Sequence, residues 1–125
     1  MNTSFLNALF VRGLVAALML GTAQLASAHA HPTQQVPIAG ATVPTSTNQV
    51  AIDFDDGIEP AFSSITVTNA AGKPVTNGKS MVDPSNNKHM SVALKPLTPG
   101  VYTVAWVAIA TDGHRTQGHY TFTVK

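Results

Sequence analysis

Short alternating runs of apolar and polar residues dominate the chain beyond residue 28. Val50, Ile52 and Phe54 fall on one side of an extended segment, with Asp53 on the other. Ile65 and Val67 alternate with Thr66 and Thr68, and Met90, Val92 and Leu94 alternate with Ser91 and Ala93. Tyr120, Phe122 and Val124 alternate with Thr121 and Thr123 at the chain's end. The stretch 101–109 is apolar on both faces apart from Thr103, which predicts a central strand covered on both sides. Ala71-Gly72, Asn77-Gly78, Asp83-Pro84, Pro99-Gly100 and Asp112-Gly113 separate these runs as turn signals. No helical period interrupts them. Short strands punctuated by Gly and Pro predict an all-β, immunoglobulin-like sandwich of two sheets. Leu97 to Tyr102 reads as the lead into a strand carrying a tyrosine corner.

The N-terminal 28 residues have a different pattern. Arg12 is their one charged residue, an apolar run follows from Leu14 to Leu20, and Ala26-Ser27-Ala28 ends the stretch. That order predicts a secretory signal peptide over 1–28, cleaved after Ala28. The run is too short for a bilayer-spanning helix, which needs roughly 20 residues. The remaining 29–125 are enough for one domain with one modest core.

Composition narrows the chemistry. Residues 29–125 carry five Lys and one Arg against five Asp and one Glu, so they hold no net charge to attract nucleic acid or an anionic membrane surface. The chain has no cysteine. It folds without disulfides, and any metal it holds uses His, Met, carboxylate or backbone donors.

Histidine is the unusual residue. Cleavage after Ala28 makes His29 the first residue, offering its free amine, of pKa about 8, and its imidazole to one ion. Such nitrogen donors favour divalent copper. In extended chain, Asp112 and His114 project to one face and can reach one point. Together with His29 they would complete a tetragonal site of three nitrogens and one oxygen. His29-Ala30-His31 also satisfies a pattern in which an amine, two backbone amides and an imidazole wrap copper unaided. His31 therefore stands open between competitor, added ligand and bystander. His119 reads as a surface residue and Met90 as core, while Met81 and Met90 are too scattered for a monovalent-copper site. Asp53, Asp55, Asp56 and Glu59 read as solvated turn residues, with Asp56 able to face the N-terminus.

These residues bring out a likeness. His29-Ala30-His31 directly after Ala26-Ser27-Ala28, Pro37, the segment from Asp53 to Ser63, Leu97 to Trp106, Asp112-Gly113-His114 and Gly118 to Val124 follow one another in an order that resembles the CopC family of periplasmic copper-binding proteins. The resemblance spans almost all of 29–125. It implies a Greek-key sandwich of about seven strands carrying divalent copper at one end. Carried over by position, His29 supplies amine and imidazole, His114 the second imidazole, and Asp112 a weaker oxygen ligand or supporting partner. Asp56 stands where some members have Glu. The chain departs from the subset with a Met-rich loop, since 67–79 contains no Met, so no strong monovalent site is expected.

The leading expectation is a non-catalytic, monomeric periplasmic copper carrier, delivering to a CopD-type inner-membrane copper transporter or another partner. A copper-dependent oxidative enzyme of histidine-brace type is the enzymatic alternative; the small domain shows no aromatic platform for a polymer. A metal-free interaction module is the third.

Overall fold

The computed structural model describes residues 29–125; the expected signal peptide lies outside the described residues. Eight strands follow in chain order: β1 (Pro32–Val36), β2 (Thr42–Val43), β3 (Gln49–Phe54), β4 (Ser64–Thr68), β5 (Met81–Asp83), β6 (Asn86–Ala93), β7 (Gly100–Ile109) and β8 (Arg115–Val124). They form two four-stranded sheets, ordered β1-β3-β6-β5 and β2-β8-β7-β4. All pairings are antiparallel except the two-residue β2 alongside β8. Among the described residues no helix is long and apolar enough to cross a membrane.

The alternation explains the layering. Val50, Ile52 and Phe54 of β3 and Met90 and Val92 of β6 turn inward from one sheet. Tyr102, Val104, Trp106 and Ala108 of β7 and Tyr120, Phe122 and Val124 of β8 face them from the other. Each fully buried large side chain contributes about 1.5–3 kcal/mol. Trp106 meets Phe54 edge-on across the core, with ring centres 5.4 Å apart. The ring needs Gly118 opposite it on β8: a Cβ there would lie 2.7 Å from the Trp106 ring carbon Cζ2. The tyrosine corner is present, with the Tyr102 hydroxyl donating to the Thr98 carbonyl at 2.7 Å and accepting from the Thr98 amide at 3.1 Å.

One expectation is corrected. β7 is central in its sheet, bonded to both β4 and β8, but only one of its faces is covered. Val101 is 48% exposed, and Ala105 is exposed as well. In a two-layer sandwich the second face of an inner strand meets solvent, so outward Val and Ile there serve strand propensity rather than burial.

Candidate metal centre

At one end of the sandwich the N-terminal segment, the β3–β4 connection and the β7–β8 loop come together. The loop is closed by main-chain bonds from Ala110 N to His114 O and from Gly113 N to Ala110 O, both 2.8 Å. Gly113 has φ +92°, a conformation that L side chains rarely adopt. The β3–β4 connection is stitched to this loop by a bond from Thr111 N to Gly57 O at 3.2 Å and by the Ile58–Ala110 bridge.

Asp112 and His114 do converge, through this turn rather than through extended chain. The Asp112 carboxylate accepts from the His114 amide at 3.1 Å and contacts its ring Nδ1 at 2.9 Å. A carboxylate can only accept, so Nδ1 carries the proton, and Nε2 is the ring nitrogen that could ligate a metal when the imidazole is neutral. This is the arrangement by which carboxylates orient metal-ligating histidines. The ring hydrogen bond, then the amide one, holds the Asp112 carboxyl below its ordinary value of 3.8, with a smaller contribution from the nearby His29.

His29 stands beside this pair. Its ring centre is 4.9 Å from that of His114 and 6.0 Å from that of His31. Imidazoles sharing one ion through bonds of roughly 2 Å have ring centres roughly 4.5–6 Å apart. The spacing therefore suits a shared ion. Among the described residues no three His, Asp or Glu side chains are already drawn together as a ligand set. The Asp112 carboxylate is instead turned onto the His114 ring, at 2.9 Å from Nδ1.

The position of His29 is set by its two neighbours. Ala30 is fully buried in the core, and its carbonyl accepts from the Thr116 hydroxyl at 2.6 Å. The His31 amide donates to the Asp55 carboxylate at 2.7 Å, while Asp55 N donates back to the His31 carbonyl at 2.9 Å. Asp55 and Thr116 hold this segment in place, through contacts the sequence reading missed. Asp55 was visible only as part of an acidic cluster, and Thr116 carried no signal at all.

Asp56 is placed in the connection beside the loop, with its carboxylate accepting from the Gly57 amide at 2.8 Å. His119 is exposed on the outer face of β8, as expected. His89 lies on the outer face of the other sheet, its Nδ1 2.6 Å from Asp53. Burial pushes the Tyr120 phenol, in the middle of β8, up to about 12.

The CopC domain model matches residues 27–125, and the chain belongs to the CopC family. Protein YobA of Escherichia coli strain K12 is 37% identical over 99 residues, covering 78% of this chain and 80% of its own. Among solved structures, CopC from Methylosinus trichosporium OB3b aligns with a TM-score of 0.72 and 31% identity, over 78% of this chain and 94% of its own. PcoC, described as a methionine-rich copper resistance protein from Escherichia coli, aligns at 0.67 and 30%, over 78% and 100%.

Proposed function

We propose that the mature protein, starting at His29, is an exported, periplasmic carrier of divalent copper serving copper homeostasis. The observation that carries this reading is the approach of His29 to His114 at 4.9 Å, with Asp112 holding the His114 ring by Nδ1. The amine and imidazole of His29 and Nε2 of His114 supply three nitrogens, the donor class that divalent copper prefers. Asp112 orients His114 and adds negative charge at the rim. Asp56, next to the Gly57 whose carbonyl bonds the Thr111 amide, is the candidate outer partner. Membership of the CopC family, and likeness to a protein named for copper resistance, support copper as the cargo.

The site lies at an exposed end of the fold, open to a receiving protein such as a CopD-type membrane transporter. No strong methionine site for monovalent copper is expected beside it. Of the two methionines after residue 28, Met90 is buried in the core and Met81 is exposed on the outside of β5. Soft monovalent copper calls for several converging thioethers.

Copper titration of the protein beginning at His29, beside a version with one extra Gly before it, tests this reading. The native start binds one equivalent with a nitrogen-rich tetragonal EPR signal. The added Gly, or His114→Ala, weakens binding more than about 100-fold, beyond the 10–100-fold typical of supporting residues. Equal and weak binding by all three would leave a metal-free interaction module as the better account.

A further inference from the structure

We infer that Asp55 and Thr116 form a clamp on the mature N-terminus that selects how copper is bound, forcing the two-histidine site and blocking the three-residue wrap. The inference rests on the copper reading above and deepens it. His29-Ala30-His31 has the sequence to wrap copper alone, using the amine, the Ala30 and His31 amide nitrogens and the His31 ring. That wrap needs both amide nitrogens turned toward one ion. The fold commits these residues elsewhere.

Three observations make the clamp. The His31 N–H points at the Asp55 carboxylate, 2.7 Å away, in a charge-assisted hydrogen bond. Asp55 N returns a bond to the His31 carbonyl, so residue 31 is gripped from both its main-chain groups. In effect the Asp55 side chain supplies the acceptor with which the β1–β3 ladder ends. One residue earlier, the Thr116 hydroxyl holds the Ala30 carbonyl at 2.6 Å, across 86 positions of sequence, and the Ala30 methyl is fully buried. A nitrogen that donates to Asp55 cannot also ligate a metal. Turning Ala30 N into a coordination plane would draw its methyl out of the core and break the Thr116 bond.

Immediately before the two clamped residues stands His29, its ring beside that of His114. The consequence of the clamp is functional. A wrap through two amide nitrogens encloses the ion in the plane of the backbone and makes it slow to leave. A site built from one amine and two side chains can open by swinging an imidazole, which suits a protein that passes its cargo on. Asp55 and Thr116 are thus positioning residues: they act on the ion only through His29 and His31.

The test uses the protein beginning at His29, with Asp55→Ala, Thr116→Val, both together, and the conservative Asp55→Asn, whose amide oxygen still accepts from His31 N. In the metal-free protein, the His31 amide exchanges slowly with solvent in the wild type and in Asp55→Asn, and fast in Asp55→Ala. With one equivalent of divalent copper, the double variant moves its visible absorption to shorter wavelength, because deprotonated amides are stronger-field ligands. Its affinity then depends on His31 rather than His114: His114→Ala costs the wild type more than about 100-fold, beyond the range of supporting residues, and the double variant almost nothing. A double variant that keeps the wild-type spectrum and its dependence on His114 overturns the clamp alone. A wild type whose copper depends on His31 and not on His114 overturns the clamp and the copper-site reading together. Retention of the wild-type spectrum in Asp55→Asn distinguishes loss of the acceptor from general damage to the strand.

Discussion

His114 meets Asp112 within a single turn, two positions apart, whereas His89 meets Asp53 across two strands and 36 positions. The chemistry of the two contacts is the same, a carboxylate on a ring Nδ1, and the second is the shorter at 2.6 Å against 2.9 Å. Their settings differ. Asp53 and His89 are register partners of β3 and β6, lying on the outer face of a sheet with their side chains about one-third exposed, at 37% and 34%. Asp112 and His114 sit on a loop at the end of the sandwich, where the N-terminal segment delivers His29. An aspartate–histidine contact is thus a component and not a site. It becomes one where a third donor converges, and convergence of that kind is found at the ends of a sandwich, where loops from different strands meet.

The comparison is broken most severely at the orienting carboxylate. Asp112→Ala releases the His114 ring and lowers copper affinity by about 10–100-fold in chelator competition, while Asp53→Ala leaves that affinity unchanged. Equal losses from the two substitutions would mean that the pairs do not differ in role. A smaller effect follows at Gly113, whose φ of +92° shapes the loop. Gly113→Ala meets no atom within 4 Å, so only backbone strain acts, about 1 kcal/mol. Urea unfolding of the metal-free protein reads that loss, and copper affinity drops up to about fivefold as the loop is pulled back into shape. The smallest effect belongs to the sheet pair. His89→Ala removes one cross-strand contact and lowers unfolding stability by about 0.2–1 kcal/mol, with the copper EPR spectrum unaltered.

The half-buried strands were legible because burial on one face imposes alternation. β3, β4, β6, β7 and β8 each contain a run visible in the bare sequence. Three of the four edge strands were not. β1 reads Pro-Thr-Gln-Gln-Val and β2 is two residues long, and both are held by main-chain bonds to a neighbour rather than by an apolar face. β5, with exposed Met81, is the other edge of the first sheet. β7 was legible as a strand but misread in its setting, since apolar residues on both faces cannot by themselves report how many layers cover them.

The same division holds at the metal end. Residue type and local spacing pointed to the candidate donors: a histidine directly after Ala26-Ser27-Ala28, an Asp-Gly-His turn, and no cysteine. Those properties are local, and a turn of three residues carries its own geometry. What only the tertiary structure decided is which donors meet and how the N-terminus is held. Thr116 reaches Ala30 across 86 positions and Asp55 reaches His31 across 24. Both contacts follow from strand register and sandwich closure, which place residues side by side with no trace in the sequence around them.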